Sequence, residues 1–290
     1  MSGNRQVGWM LLPALVLVGA VVGLPILRVA TLSFMQVDLA EGIVLRWSGL
    51  APYVRLWNDA RYWSSVGNTL IFTVASVALE MLLGTAFAMA LNQRFAGRSL
   101  LRAIVLLPWA LPTAVTALAW AWVFNDAFGV ANDLLRRASL LDRPVAWLGE
   151  PVAAMAVLVL ADVWKTTPFV ALIVLAGLQG LPQNVMEAAR IDGLGPWQRF
   201  RHVVLPLLVP SLLVATVFRA VQAYGAFDLV YVMTGGGPGG STETVSLFSF
   251  QQYFRYLDFG YGSAAAIQGV AFALVPLLLV MGWARRMEPR

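Results

Sequence analysis

Six apolar runs of 22 to 28 residues alternate with more polar stretches along this chain: Gly8–Phe34, Val66–Leu91, Ala103–Phe124, Val152–Leu178, Leu205–Val232 and Gly262–Ala284. A bilayer core takes about 20 apolar residues per helix. The pattern therefore predicts six transmembrane helices. The first run is too long for a cleaved leader and has only Arg5 as a basic flank. It is expected to remain as a span. No repeat of fixed period and no extramembrane domain interrupts the series. The outer stretches carry turn chemistry at Ser48–Pro52 and Asn58-Asp59, and mixed aromatic and charged segments at Asp126–Leu135 and Gln251–Phe259, as short interfacial helices do. Trp47, Tyr53, Trp57, Tyr62 and Trp63 suit an aromatic belt.

Composition agrees. Of the 290 residues 59% are hydrophobic and 12% charged, against about 25% charged in a soluble domain. There is no cysteine, and the single histidine is His202. Disulfides, thiolate chemistry and histidine-clustered metal sites are excluded. The expectation is no catalytic residue, no metal ligand and no cofactor bound by this chain. An isoelectric point near 10 invites a nucleic-acid reading, but the arginines are scattered over short loops, so no nucleic-acid partner is expected. With the N-terminus inside, residues 1–7, 92–102, 179–204 and 285–290 become cytoplasmic. They hold Arg5, Arg94, Arg98, Arg102, Arg190, Arg199, Arg201, Arg285, Arg286 and Arg290, a modest positive-inside bias. Both termini are then cytoplasmic.

The polar stretch Gln179–Pro206 is the most informative. Pro182 suits a helix start, where its missing N–H costs nothing. Gln183–Ile191 can form about two turns. The small Ala188 and Ala189 permit close approach by another surface. Gly193, Gly195 and Pro196 break the helix, and a second short helix over Trp197–Val203 leads into Leu205-Pro206. Read by periodicity alone, this is either an amphipathic interfacial loop or a docking element.

The spacing adds more. Glu187-Ala188-Ala189, three residues, Gly193, nine residues, Val203, then Leu205-Pro206 resembles the E-A-A-x3-G-x9-I-x-L-P signature of permease subunits of ATP-binding-cassette importers. Val203 replaces the isoleucine. Trp164–Phe169 with Ala176–Gln179 is similar to the fourth-span signature of sugar permeases of the maltose, trehalose and glycerol-phosphate type. Leu24-Pro25, Ser33-Phe34, Gly49-Leu50 with Tyr53, Asn68-Thr69 and Gly236–Pro238 look like further landmarks of that family, and Pro52 stands where it often has asparagine. The resemblance implies an all-α, six-span, type I importer permease (MetI-like) architecture. It divides the chain into a first helix and outer loop (1–65), a five-helix core (66–284) containing a coupling loop (179–206), and a cytoplasmic tail (285–290). It also implies that Glu187, Ala188, Ala189, Asp192 and Gly193 contact a separate ATPase.

Asp162, Lys165 and Arg219 fall inside predicted spans, where each costs about 2.5 to 3.5 kcal/mol near the centre. They must face protein or water. Lys165 lies 13 residues before Leu178 and Arg219 lies 14 after Leu205, so both sit about 20 Å from the inner edge. Asp162 and Lys165 share a helix face, and Arg219 could join them. Structural pairing and a polar lining for a solute are compatible readings. Thr166, Thr167, Gln222 and Tyr224 add hydrogen-bonding groups; Trp164 and Phe169 add ring faces. In the resembling permeases, matched positions for sugar contact are Lys165, Thr166, Phe169, Arg219, Gln222, Ala223 and Ala226. Ala223 and Ala226 stand where the maltose permease has polar side chains, which argues against strict maltose specificity.

The glycine-rich Thr234–Thr242 lacks the lysine of a phosphate loop and follows a transmembrane helix. It reads instead as an outer turn on which a solute-binding protein could land. The resemblance implies the remaining partners: a second permease subunit, an ATPase dimer carrying ATP and magnesium, an extracytoplasmic solute-binding protein, a trehalose- or maltose-type sugar, and the lipid of a bacterial or archaeal inner membrane. Rival readings are a permease for glycerol phosphate or an amino acid, a secondary transporter using the intramembrane charges, and an intramembrane enzyme.

Overall fold

The computed structural model describes residues 3–38, 44–93 and 95–287. Arg94, Arg290 and the last three residues of the predicted tail lie outside them. The chain forms two compact units, one from residues 1–63 with 248–271, the other from 64–247 with 272–290.

The first unit begins with α1 (Gly3–Val18), a π-helical turn (Gly19–Gly23) and α2 (Leu24–Leu32). The widened turn sits just before Pro25, whose missing N–H cannot serve the preceding turn. Together they make one apolar run, Leu11–Leu32, whose most apolar window is only 6% buried. Among the described residues of its unit it has almost nothing to pack on. A two-stranded antiparallel hairpin follows, β1 (Met35–Asp38) and β2 (Val44–Trp47), with Met35 opposite Trp47. The fold is thus mostly helical rather than all-α. Phe34 stacks on Trp47 at 5.7 Å and meets Tyr53 at 5.6 Å, while the Tyr53 hydroxyl donates to Ser33 Oγ at 2.7 Å. Tyr53 belongs to α3 (Ala51–Trp57).

Also in this unit, Arg55 pairs with Asp258 at 2.6 Å and lies 3.9 Å over the Tyr261 ring. The Tyr261 hydroxyl donates to Asp59 at 2.5 Å. Gly260 lies so close to the Met35 carbonyl that no side chain fits there.

The second unit is built on long helices. α4 (Ala60–Asn92) starts in the first unit and runs 33 residues, about 50 Å. α5 (Arg98–Ala110) and α6 (Thr113–Val123) occupy the third predicted span. That span is not one straight helix. The two halves meet at 91° across Leu111-Pro112, because Leu111 is extended ahead of a proline and Pro112 has no N–H to continue the ladder. α7 (Val130–Arg137) lies in the following loop. α8 (Pro151–Gln179) is the central helix, 67% buried over its most apolar window.

α9 (Gln183–Ile191) starts after Pro182, which occupies the N-cap. α10 (Pro196–Arg199), a π-helical turn (Phe200–Val204) and α11 (Leu205–Tyr224) then form one helical run, Pro196–Tyr224. The expected second short helix is therefore the N-terminal extension of the fifth span. That span ends at Tyr224, not Val232. Gly225 caps it and α12 (Asp228–Met233) is separate. α13 (Val245–Phe250) and α14 (Phe259–Met287) complete the chain.

Four helices among the described residues are long and apolar enough to cross a membrane, or five if the bent pair is one span. The predicted six is not confirmed by that measure, which takes in α14 only over Phe259–Leu274.

Helices in lipid associate through close packing at small residues. At Gly84 a β-carbon would come 2.6 Å from Val170, so α4 and α8 touch there. At Gly177 it would collide with Ser211 of α11. Ala88, Leu91, Val170, Val174, Leu178 and Leu208 fill the resulting core.

Candidate functional site

Arg219 is the centre of the buried charge cluster. Its Nε donates to Glu80 Oε2 at 2.5 Å, and its Nη2 to Glu80 Oε1 at 2.8 Å and Asp162 Oδ2 at 2.9 Å. Its Nη1 donates to Gln222 Oε1 at 2.9 Å. The bidentate fork on Glu80 is the strongest geometry available to an arginine–carboxylate pair. Glu80 is fully buried, Arg219 is 2% exposed, and Thr166 Oγ1 donates to Glu80 at 2.6 Å. One guanidinium thus ties α4, α8 and α11 together.

Glu80 escaped the reading of charges within spans, although it lies inside the predicted Val66–Leu91. It is 12 residues before Asn92, about 18 Å from the helix end. That matches the depth of Lys165 and Arg219, and tabulating every acid within the runs by depth would have found it.

Lys165 takes a different partner from the one expected. Its Nζ donates to the carbonyls of Leu111 at 2.9 Å and Trp109 at 3.5 Å, not to Asp162. These carbonyls are the open C-terminal end of α5 at the bend. Backbone without helical partners is tolerated at membrane depth only inside protein or water, and a cation suits the negative end of the helix dipole. Lys165 therefore seals the break between α5 and α6.

The remaining pathway candidates spread around this cluster. The Thr166 and Thr167 hydroxyls also bond back to the carbonyls of Asp162 and Val163, each at 2.6 Å. Phe169 stacks on Trp109 at 6.0 Å and meets Phe218 edge-on at 6.3 Å. Gln222 is exposed at the edge of the cluster. Ala223 is 1% exposed and packed inside, whereas Ala226 is half-buried, its carbonyl accepting from Thr244 at 3.2 Å.

The coupling-loop candidates divide by exposure. Glu187, Ala188, Asp192 and Gly193 are exposed, and Ala189 is 5% exposed and turned inward. Gly193 has φ +78° with open space around it, a conformation glycine adopts at no steric cost. The Gly195 N–H donates to Gln198 at 3.0 Å, closing the turn. Ile191 and Trp197 stand out at 86% and 68% exposed.

The glycine-rich stretch folds as turns held by α4. Asn68 Nδ2 donates to the carbonyls of Gly240 at 2.9 Å and Glu243 at 3.2 Å, and Val245 N–H donates to Thr69 at 2.9 Å. Gly235, Gly236, Gly239 and Gly240 all have positive φ.

This arrangement defines a class: a polytopic helical membrane protein whose intramembrane charges are mutually satisfied, with a turn-rich polar element on one face. Among the described residues there is no cluster suited to hold a metal ion. The sequence pattern of the family described as "Binding-protein-dependent transport system inner membrane component" matches residues 80–290. The trehalose/maltose transport system permease MalF of Thermococcus litoralis is 43% identical over 92% of this chain and 88% of its own. The sulfoquinovosyl glycerol permease SmoG of Agrobacterium fabrum is 38% identical over 94% and 87%. The trehalose permease SugA of Mycobacterium tuberculosis is 34% identical over 91% and 84%. A bacterial alginate importer crystal structure superposes with a TM-score of 0.85 at 21% identity, covering 99% of this chain and 97% of the other.

The chain belongs to the binding-protein-dependent transport system inner membrane component family. It is a membrane permease subunit, not an enzyme, and ATP is hydrolysed by a separate subunit.

Proposed function

We propose that this chain forms half of the translocation pathway of an ATP-driven carbohydrate importer, for a neutral disaccharide or oligosaccharide of the trehalose or maltose type. The similarity to trehalose and maltose permeases over nine-tenths of the chain carries this reading. The alginate importer, solved in complex with an alginate pentasaccharide-bound periplasmic protein, adds a fold neighbour that handles sugars.

Six spans are assigned, with the bent pair as the third and α14 as the sixth, and both termini cytoplasmic. The division follows: residues 1–65 as first helix and outer loop, 66–284 as core, 285–290 as tail. A second permease completes the pathway. An ATPase dimer, holding ATP and magnesium, docks on Glu187, Ala188, Asp192 and Gly193, with Ala189 packing beneath. A solute-binding protein delivers the sugar from outside.

In the pathway Gln222 and the ring faces of Trp109, Phe169 and Phe218 are the groups left to meet a solute. Arg219, Thr166 and Lys165 act behind them, because most of their donors are engaged within the protein. Rings and amides suit the mixed apolar and hydroxyl faces of a sugar.

The test is uptake of labelled trehalose and maltose into proteoliposomes holding the whole complex. Accumulation should require internal ATP and binding protein, and should survive a proton ionophore. Uptake abolished by the ionophore at constant ATP overturns the proposal.

A further inference from the structure

Beside the coupling loop the second unit contains a cavity of about 1130 Å³. Arg98 and Arg102 of α5, Arg190 of α9 and Arg199 of α10 line it, with Glu187 as the one carboxylate among the lining residues. None of these arginines has an ion-pair partner among the described residues. Arg102 donates through Nη2 to the Leu91 carbonyl at 3.3 Å, yet its Nε is buried without a partner. Four cations around one concavity repel each other unless something negative lies between them. Apolar lining comes from Met89 and Leu178 at the ends of α4 and α8, beside Asn92 and Gln179, and from Met186 and Phe200 of the loop. The cavity is therefore amphipathic, with basic and apolar groups contributed by both the loop and the spans.

Resting on the orientation assigned above, we propose that this cavity is a binding site for the phosphodiester of an acidic membrane lipid, such as phosphatidylglycerol. Arginine forks match phosphate oxygens in two-point geometry, and basic pockets between spans on the cytoplasmic side take anionic headgroups. An acyl chain would start along Met89 and Leu178. A zwitterionic headgroup brings its own cation and leaves the cluster uncompensated. A bound headgroup would brace the coupling loop against α5 and make ATPase coupling sensitive to acidic lipid.

The experiment is native mass spectrometry of the assembled transporter released from nanodiscs of phosphatidylcholine mixed with phosphatidylglycerol, without solute or ATP. The wild type should retain phosphatidylglycerol over phosphatidylcholine. The variant Arg98→Gln/Arg102→Gln should retain roughly ten-fold less, and Arg98→Lys/Arg102→Lys, which keeps the charge, should retain most of it. Equal retention by wild type and the glutamine variant overturns the site. So does weakened ATPase assembly with unchanged lipid retention, which would give the arginines to an acidic protein surface. Displacement of the lipid by millimolar inorganic phosphate overturns the lipid as source and assigns the cavity to free phosphate. Because lipid retention is read without transport, its failure leaves the importer reading standing.

Discussion

The charges around Arg219 and those around Arg190 belong to the same group of helices but live in opposite circumstances. In the first region Glu80, Asp162 and Gln222 converge on one guanidinium, and Lys165 finds carbonyl oxygens at a broken helix end. In the second, Arg98, Arg190 and Arg199 face an open cavity, and Ile191 and Trp197 are exposed, largely uncovered by the described residues. Burial accounts for the difference. A charge deep in the protein without a partner costs several kcal/mol, so the interior must close its own network. A charge at the rim is solvated, and can wait for lipid or another subunit. The satisfied region holds the fold; the open one is the surface proposed above for lipid and the ATPase.

The largest expected effect comes from opening the closed network. Arg219→Ala leaves Glu80 and Asp162 together without a cation, and should cost about 3 to 5 kcal/mol. Thermal unfolding of the assembled complex in nanodiscs reads this as a large drop in midpoint. Adding Glu80→Gln and Asp162→Asn should restore much of it. An unchanged midpoint for the single variant would remove the cluster from the scaffold.

Lys165→Met comes next. It orphans the carbonyls of Trp109 and Leu111 at the bend, a loss of about 1 to 3 kcal/mol. Hydrogen exchange should quicken around Leu111 while α8 stays protected. Exchange that is uniform along the chain would refute the sealing role.

At the open region Gly193→Val forces a β-branched residue to φ +78°, costing about 1 to 2 kcal/mol locally. The complex should assemble and hydrolyse ATP, but import little. Wild-type uptake in this variant would show that the turn does not transmit motion. Cross-linking from Ala188 should capture the ATPase more readily than cross-linking from the inward-turned Ala189.

The smallest effect is expected at Gln222→Ala, which removes one exposed amide at the cluster edge. Loss of one solute hydrogen bond, about 1 kcal/mol, should raise the apparent KM for uptake several-fold with stability unchanged. Identical kinetics would make Gln222 a mere acceptor for Arg219.

Much of this was legible along the chain. The bounds Gln183–Ile191 for α9, the long helices α4 and α8, and the positive-φ glycine at 193 follow from apolar run length, proline and glycine positions, and spacing. Ser33 and Tyr53, or Asn68 and the glycine-rich turn, stood out as separate landmarks whose contacts were invisible until the chain folded. The break at Leu111-Pro112 was hidden because an apolar count measures length and not direction. The β1–β2 hairpin was hidden because four-residue strands carry little periodic signal.

By itself, then, the order of residues determined that this chain lives in a membrane and where most of its long helices run. Those features depend on local properties: side-chain transfer into lipid and backbone freedom at proline and glycine. Only the tertiary structure decided that Arg219 grips Glu80 and Asp162, while Lys165, three residues from Asp162, turns away to seal a helix end. In a low-dielectric interior each charge takes the partner that packing brings within about 3 Å, and sequence separations of 139, 57 and 54 residues are closed by helix packing alone.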